Sequence, residues 1–427
     1  MSRQAKIGYV GMTHLGICSG IAAASKGFTT IGFTPDGALA EALAAGRLPV
    51  VEPGLDDLLA ANGERMAFTS DAGCLADCDV VYVAPDIPTD NKGGSDLAPL
   101  EALLDLAFAQ ARNDAVIVVL SQVPPGYTRA RQRPGRQLYY QVETLIFGRA
   151  VERATRPERF LVGCPDPSLP LPAPLAEFLS AFGCPVLPMR LESAELAKIA
   201  INCCLVAMVS TANTLAEICE NIGADWSEIV PALRLDARIG PYSYLVPGLG
   251  IAGGNLERDL ATVVSLGDKH GTDVGMVRAW QSNSRYRRDW LLRTIHQIGL
   301  AGNRDARLAL LGLAYKENTH STKNSPALSL LAALGPCAVR AYDPVVAPRA
   351  EWHPNLTAAA DPLAACEDAD AVLIATPWPQ FKTLEPPELA RRMRGRVAID
   401  PFACLDRAAC ASAGLTHLTL GVGGAQR

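Results

Sequence analysis

Residues 6–16 read Lys-Ile-Gly-Tyr-Val-Gly-Met-Thr-His-Leu-Gly, and this stretch decides the fold of the first part of the chain. Residues 6–10 are largely apolar, which predicts a strand, and a glycine turn then leads into an alanine-rich helix that ends near residue 27. A strand, a glycine turn and a helix in this order are typical of the start of a doubly wound α/β sheet. Further apolar runs at residues 28–33, 80–83 and 115–120 predict parallel strands that are buried on both faces.

The turn matches the phosphate-binding pattern G-x-G-x-x-G except at its middle position, where Thr13 replaces glycine. Gly11 would form the tight turn, and Gly16 would let the helix pack against the strand. The Thr13 side chain adds bulk where a phosphate would lie, although its hydroxyl can contact one. Together with His14 and Leu15, these residues are candidate contacts of a dinucleotide. The alternative is an ordinary strand-to-helix turn.

The end of the second predicted strand bears on the choice of dinucleotide. The chain reads Gly-Phe-Thr-Pro-Asp at residues 32–36. Thr34 stands where NAD-binding sheets carry the acid that bonds the adenosine ribose, and Asp36 lies two residues later as a candidate replacement. No arginine follows that would hold a 2′-phosphate, so the sequence favours NAD over NADP.

The composition argues against several classes of protein. The chain has 427 residues, of which 49% are hydrophobic, and a formal net charge of -5. It has no block of like charge, so we expect no nucleic-acid partner and no basic membrane-binding surface. We identify no secretion signal and no apolar run of the ~18 residues that a membrane helix needs, which favours a cytoplasmic protein. The twelve cysteines lack metal-ligand spacing, so no metal is expected.

The middle of the chain differs from its two ends. Residues 193–221 contain no proline and follow a helical pattern, and residues 256–299 do so with a break near residues 267–275. Strand-like runs return at residues 307–313, 339–343, 371–375 and 397–400. These patterns predict a Rossmann-like domain at residues 1–190, a helical region at 191–300 and a smaller Rossmann-like domain at 301–427. Because such helical bridges often carry a dimer interface, we expect a homodimer.

Motifs along almost the whole chain resemble, in the same order, those of the UDP-glucose/GDP-mannose dehydrogenase family. They are Glu52-Pro53-Gly54-Leu55, Ser121-Gln122-Val123-Pro124-Pro125-Gly126, Asp236-Ala237-Arg238-Ile239-Gly240, the glycine loop at residues 247–259, and Gly312-Leu313-Ala314-Tyr315-Lys316 with Thr319 and Ser325-Pro326. The resemblance implies two Rossmann-like domains joined by a helical dimerisation core. It further implies NAD on the first domain, a nucleotide diphosphate sugar on the second, and the glycine loop between them. Members of the family oxidise an alcohol through an aldehyde to an acid.

The resemblance also assigns candidate catalytic residues. Lys198 and Asn202 are four residues apart, on one helical face, and with Asp259 they match family residues that hold a water and the reacting oxygen. The spacing alone would favour an exposed polar face. Glu143 matches a glutamate that acts as general base in thioester hydrolysis and orients the site. Asn255 occupies the position of the catalytic cysteine, and an amide cannot form a thiohemiacetal or a thioester.

Other positions concern the ligands. The resemblance implies substrate contacts at Arg238, which would reach the site of the neighbouring subunit, and at Gly250, Gly253, Gly254 and Lys316. Candidate cofactor contacts beyond the glycine turn are Pro85, Gln122 and Lys323. The chain departs from the family pattern at five further points: Gln122 replaces a threonine, Lys323 and Phe402 replace arginines, Arg258 replaces a lysine, and Phe147 replaces a second glutamate.

The residues that are kept and lost lead to a functional hypothesis. Lys198, Asn202 and Asp259 suffice, with NAD, for one alcohol oxidation, whereas the second oxidation needs the thiol or an aldehyde hydrate. We expect NAD-dependent oxidation of a nucleotide diphosphate sugar that stops after one hydride transfer or proceeds through a hydrate without a covalent intermediate. Two alternatives stay open: a redox-neutral, epimerase-like use of bound NAD, and a non-catalytic protein that binds a nucleotide sugar.

Overall fold

The computed structural model describes residues 4–90 and 94–423 and divides the chain into two compact units. Unit 1 is Met1–Ile201 and unit 2 is Asn202–Arg427. Each unit contains its own sheet with connecting helices, which confirms the predicted α/β class with two Rossmann-like sheets. The division falls inside a long helix, and the three-part division at residues 190 and 300 stays a prediction.

An eight-stranded sheet forms the centre of unit 1. Its strands are β1 Ile7–Val10, β2 Thr30–Phe33, β3 Met66–Thr69, β4 Val80–Val83, β5 Val116–Val119, β6 Gln137–Gln141, β7 Phe160–Cys164 and β8 Val186–Arg190. They lie in the order β3-β2-β1-β4-β5-β6-β7-β8, and all pairs are parallel except β6 with β7. Strands β1, β2, β4 and β5 are buried throughout, which explains their continuous apolar sequences. The four predicted strands are confirmed, with ends shifted by at most two residues.

The helices of unit 1 connect these strands. They are α1 His14–Ser25, α2 Gly37–Ala44, α3 Leu55–Asn62, α4 Ala98–Gln110, α5 Tyr127–Ala130, α6 Ala150–Thr155 and α7 Ala173–Ser180, with short 3-10 helices at Gly63–Arg65 and Ala72–Asp77. The strand order reverses beside β1, because the chain crosses from β3 to β4 there. In a doubly wound sheet the ligand crevice opens at this point, outside the carboxyl ends of the strands. The glycine turn after β1 therefore lies where a cofactor would bind.

Helix α8, Leu191–Ile222, runs from unit 1 into unit 2 and confirms the helix predicted at residues 193–221. By length and composition it could cross a membrane, since its mean hydropathy reaches 1.7 over an 18-residue window. The expectation that no apolar run has this length is therefore wrong. No charged residue lies between Lys198 and Glu217, and the Asn, Ser and Thr residues there lower the hydropathy only slightly. A core helix of a soluble protein passes the same test.

Unit 2 begins with helices that follow α8. They are α9 Trp226–Leu235, α10 Asn255–His270, α11 Gly275–Arg288 and α12 Trp290–Gln297. The predicted break near residues 267–275 is confirmed, because α10 ends at His270 and is capped by Gly271, whose φ is +70°. A second break, at Asp289, was not predicted. The fully buried Arg287 pairs with Glu217 at 2.9 Å and so ties α11 to α8.

A six-stranded parallel sheet follows in unit 2, in the order β11-β10-β9-β12-β13-β14. Its strands are β9 Arg307–Leu311, β10 Ala338–Tyr342, β11 Leu356–Ala358, β12 Ala371–Ile374, β13 Val397–Ile399 and β14 Thr416–Leu418. Its helices are α13 Pro326–Ala333, α14 Pro362–Cys366, α15 Pro386–Arg392 and α16 Arg407–Ser412, with 3-10 helices at Ala350–Trp352 and Pro379–Thr383. The four predicted strands are confirmed. The edge strands β11 and β14 were not predicted, because each has three residues and is partly exposed.

Candidate active site

The turn between β1 and α1 requires glycine at both predicted positions. Gly11 has a φ of +97°, and a Cβ atom there would lie 2.9 Å from the backbone nitrogen of Pro85. A Cβ atom on Gly16 would lie 2.0 Å from the carbonyl oxygen of Gly11. The fold thus brings Gly11, Gly16 and Pro85 together at the carboxyl ends of β1 and β4, and the turn leaves room for close approach to the backbone.

Thr13 precedes α1, but its side chain does not cap that helix. Its Oγ1 instead accepts a hydrogen bond from the backbone nitrogen of Asp86 at 2.8 Å and lies 3.5 Å from the carbonyl oxygen of Ala84. Thr13 therefore fastens the glycine turn to the loop that follows β4. Asp86 was missed in the sequence, where the only signal was an acid a few residues after an apolar strand.

His14, the first residue of α1, is held in place by the buried carboxylate of Glu52. Its Nε2 lies 2.7 Å from Oε1 of Glu52, and its ring lies 4.2 Å from the ring of Phe147, centre to centre. The side chain of Glu52 has no exposed surface and also accepts hydrogen bonds from the backbone nitrogens of Gly148 at 2.9 Å and Ala150 at 3.1 Å. Glu52, identified in the sequence only as part of a motif, fixes residues 147–150 beside the start of α1.

Glu52 carries a testable stability effect. Burial would raise the pKa of its carboxyl, but the hydrogen bonds from His14, Gly148 and Ala150 outweigh burial and hold that pKa below its usual range. Because the folded pKa is the lower one, the stabilisation is present at neutral pH and is lost as the pH falls through it. We expect Glu52→Ala to lower the free energy of unfolding by about 3 kcal/mol at neutral pH, since buried donors lose a charged acceptor.

Urea denaturation of both proteins at about pH 7 and about pH 3 measures this effect. The difference in free energy of unfolding between wild type and Glu52→Ala should shrink at the lower pH. Glu64→Ala, which truncates an exposed glutamate, is the control and should change the free energy little. A difference independent of pH would contradict the proposed role of the charge.

The two candidate ribose contacts lie together after β2. Thr34 is buried, and its Oγ1 accepts a hydrogen bond from the backbone nitrogen of Asp36 at 3.4 Å. The Asp36 carboxylate caps α2 by accepting from the backbone nitrogen of Leu39 at 3.1 Å. A capping role therefore accounts for Asp36 without a cofactor, and its ribose contact stays a prediction. Gln122, three residues after β5, is half-buried, and its cofactor contact stays a prediction too.

Lys198 and Glu143 form an ion pair in unit 1. Nζ of Lys198 lies 3.2 Å from Oε2 of Glu143, and only 13% and 18% of the two side chains are exposed. Glu143 follows the carboxyl end of β6, and its other oxygen accepts a hydrogen bond from the backbone nitrogen of Leu145. The fold thus joins two predicted catalytic residues that are far apart in sequence, and it places an ammonium beside a carboxylate.

Asn202 and Asp259 form a second predicted pair, in unit 2. Nδ2 of Asn202 donates to Oδ2 of Asp259 at 2.5 Å, and the Asp259 residue is 1% exposed. Nε of Arg258 lies 3.4 Å from the other carboxylate oxygen of Asp259. Asn202 follows Lys198 by one turn of α8, so the helix presents both side chains on one face.

Asn255 is the first residue of α10, and it is exposed. The glycines before it have positive φ angles, +86° at Gly253 and +95° at Gly254. A Cβ atom on Gly253 would lie 2.6 Å from the Tyr315 ring, and one on Gly254 would lie 2.9 Å from Cε of Lys323. The predicted loop residues therefore need glycine, because the segments after β9 pack directly against them.

Further contacts support this loop. Gly250 has a φ of +80°, and a Cβ atom there would lie 2.4 Å from the carbonyl oxygen of Ser284. Glu257, in the first turn of α10, accepts hydrogen bonds from Arg288 at 2.9 Å and from Asn324. These three polar residues were missed because they are far apart in the sequence. They tie the start of α10 to α11 and to the segment before α13.

Three family models match the chain in order. The NAD binding domain of the UDP-glucose/GDP-mannose dehydrogenase family matches residues 5–169, its central domain residues 192–285 and its UDP binding domain residues 309–407. The chain belongs to this family. It is an NAD-dependent oxidoreductase that acts on a CH–OH group, with a nucleotide sugar as its class of substrate.

Relatives of known function cover nearly the whole chain. UDP-glucose 6-dehydrogenase TuaD of Bacillus subtilis is 30% identical over 412 residues, which cover 92% of this chain and 88% of that protein. UDP-glucose 6-dehydrogenase of Rhizobium meliloti is 29% identical over 415 residues, or 92% and 94% of the two chains. Among solved structures, a UDP-glucose dehydrogenase from Pyrobaculum islandicum aligns with a TM-score of 0.86 at 26% identity and covers 99% of each chain.

The glycine turn of this family member fits a dinucleotide. Gly11 and Gly16 leave the backbone accessible, and the first turn of α1 offers N–H groups that have no partner within the helix and can bind phosphate. Gly11, Thr13, His14, Leu15 and Gly16 would therefore hold the NAD pyrophosphate, as the sequence predicts. One feature opposes this fit, because the acidic Asp86 lies beside Thr13.

Cys203 is poorly suited to replace the thiol that Asn255 lacks. Cys203 follows Asn202 directly, but loss of hydration and the nearby Asp259 charge raise the pKa of its thiol to about 11. It packs with the apolar residues Val206, Ile251, Leu260 and Val277. Because the thiolate is the nucleophile, a raised pKa makes Cys203 a weak nucleophile at neutral pH. Among the described residues no group of three or more His, Cys, Asp or Glu could hold a metal ion.

The remaining departures from the family have structural consequences. Phe402, at the arginine position after β13, packs against the apolar core of the second sheet. Phe147, at the second glutamate position, packs against His14 with the two ring planes tilted by 33°. Two of the predicted substrate contacts, by contrast, match the family. Arg238 pairs with Asp236 at 2.6 Å, and 89% of its side chain is exposed. Lys316 lies 5.7 Å from the centre of the Tyr315 ring, beside the glycine loop.

Proposed function

We propose that this protein oxidises one alcohol carbon of a nucleotide diphosphate sugar to the carbonyl level without forming a covalent intermediate. One observation carries the proposal: the residue that opens α10 is the exposed amide Asn255 rather than a thiol, whereas Asn202 still hydrogen-bonds Asp259. An amide at position 255 removes the nucleophile that a second oxidation would need. The contact of Asn202 with Asp259 keeps the residues that hold the reacting oxygen.

The proton leaves the substrate hydroxyl with help from the two pairs. The Lys198 ammonium stabilises the negative charge that develops on the oxygen as its proton departs. A water held by Asn202 and Asp259 takes that proton, and Glu143 keeps the ammonium in position through their 3.2 Å contact. When bound, NAD supplies the acceptor for the hydride from the same carbon.

The reaction stops at this level because no described side chain takes over the role of the thiol. Asn255 is not a nucleophile, and the raised pKa of Cys203 keeps that sulfur protonated. Without a thiol, no thioester forms that the retained Glu143 could help to hydrolyse. Acid formation would require an aldehyde hydrate to be oxidised directly, and this is the route that the product analysis must exclude.

We also propose that the protein acts as a cytoplasmic homodimer in which Arg238 contacts the sugar nucleotide of the partner subunit. The long exposed Arg238 side chain on the loop after α9 supports this, and so do the exposed apolar residues Leu215, Ile218 and Ile222 along α8. Gly250, Gly253, Gly254 and Lys316 would line the substrate site, and Pro85, Gln122 and Lys323 the cofactor site.

The yield of NADH per sugar consumed tests the proposed function. With a panel of UDP-, GDP-, CDP- and dTDP-sugars, we expect one equivalent of NADH and an aldehyde or ketone product by mass spectrometry. Two equivalents with an acid would contradict the single oxidation and require the hydrate route. Bound NAD that copurifies without net NADH would instead favour redox-neutral chemistry, and absence of any turnover a binding protein.

A further inference from the structure

Asp86 stands at the edge of the sheet where the cofactor turn begins. Strands β1 and β4 are parallel neighbours in which Val10 pairs with Val83, so the residues that follow them leave the sheet side by side. The backbone nitrogen of Ala84 donates to the carbonyl oxygen of Val10 at 2.8 Å. Asp86, two residues further, is exposed to solvent and therefore lies on the open side of this crevice.

The Asp86 carboxylate lies beside the N-terminus of α1. Its backbone nitrogen donates to Oγ1 of Thr13 at 2.8 Å, and its carboxylate is near enough to Thr13 and to the backbone N–H of Leu15 for both to stabilise its negative charge. The Leu15 N–H is one of the first N–H groups of α1, which have no partner within the helix. Such groups are the ones that bind the phosphates of a dinucleotide.

We infer that Asp86 is an internal competitor for the NAD pyrophosphate, which must displace it from the start of α1. The carboxylate and the pyrophosphate are both anionic and are stabilised by the same N–H groups, so each disfavours the other. The free protein thus keeps a negative charge beside its phosphate-binding turn, and NAD binds more weakly than it would to the turn alone. The inference does not rest on the single-oxidation proposal, since cofactor binding is measured without a sugar.

The competition should depend on pH. The groups that act on Asp86 electrostatically are His14 of α1 and Glu143 after β6, and Glu52 lies on the other side of His14. Although part of the residue reaches solvent, the protein groups around its carboxyl reduce hydration there, and together with the Glu143 charge they raise the pKa of Asp86. His14, Thr13 and the backbone N–H of Leu15 only partly oppose this shift. Once protonated, Asp86 no longer repels the pyrophosphate. NAD affinity should therefore rise as the pH falls through this raised pKa.

Calorimetric titration of NAD into wild type, Asp86→Asn and Asp86→Ser tests the inference. Removing one unit of negative charge near the pyrophosphate should lower the Kd for NAD roughly tenfold at neutral pH. The wild-type Kd should fall further on acidification, and the Kd of Asp86→Asn should lack that component. Two different substitutions are used so that the test remains possible with one variant if the other misfolds.

Glu64→Gln is the matched control, since it removes one exposed negative charge at the opposite edge of the sheet. Glu64 lies in the 3-10 helix before β3, at the amino ends of the parallel strands. The Kd of the Glu64→Gln variant for NAD should stay within about twofold of the wild-type value. If folded Asp86→Asn and Asp86→Ser bind NAD no more tightly than wild type, the inference is overturned.

Discussion

Replacing Lys198 by alanine is expected to lower kcat by about 10²–10⁴-fold, the usual range when a positioned catalytic group is lost. Lys198 is the cation of a largely shielded ion pair, 3.2 Å from Glu143. In a site shielded from solvent, little water is present to stabilise the negative charge that develops on the substrate oxygen. That charge is therefore stabilised by a fixed positive group. Initial rates of NADH formation at saturating NAD and sugar measure the effect.

The controls for this prediction separate catalysis from binding. Lys269→Ala removes an exposed lysine at the end of α10 and should leave kcat unchanged. Lys198→Arg keeps the charge but changes its geometry, so it should recover only part of the rate. The Kd for NAD should change little in Lys198→Ala. An unchanged kcat with weakened sugar binding would contradict the catalytic role and support a binding protein.

The sequence predicted the parts of the fold that have continuous apolar strands. Strands β1, β4 and β5 were identified because parallel strands that are covered on both faces read as apolar runs. Strands β3, β6, β7 and β8 were missed, and β7 is an exception to this rule because it is buried throughout. In β6 the sequence Gln-Leu-Tyr-Tyr-Gln mixes polar and apolar residues, and the edge strand β8 has exposed positions, so neither stands out as an apolar run.

For the candidate site, local spacing predicted positions but not partners. The interval between Lys198 and Asn202 fixed their common helical face, whereas the contact of Lys198 with Glu143 depends on how β6 lies against α8. Asp86 was missed for a similar reason, because its importance comes from the pairing of β1 with β4. Such long-range contacts leave no pattern in the local sequence.

Replacing Asn255 by cysteine is expected to convert a protein without a covalent intermediate into one that forms a covalent bond to its substrate. Position 255 is exposed at the first turn of α10, and unpaired N–H groups at a helix N-terminus lower the pKa of a thiol. The thiolate would add to the aldehyde carbon, and removal of a second hydride from the resulting thiohemiacetal would give a thioester. The NADH yield should therefore rise towards two equivalents per sugar bound.

The thioester should accumulate when Asn255→Cys is combined with Glu143→Gln, because Glu143 matches the family's general base for thioester hydrolysis. Intact-protein mass spectrometry after turnover should detect an added mass equal to the acylated sugar nucleotide. Asn255→Ser, with a hydroxyl that is a poor nucleophile at neutral pH, should show no adduct. Asn255→Cys with Glu143 retained should hydrolyse the thioester and release the acid, so that turnover continues. If the double variant forms no adduct and Asn255→Cys still yields one equivalent, the missing thiol is not what limits this protein to a single oxidation.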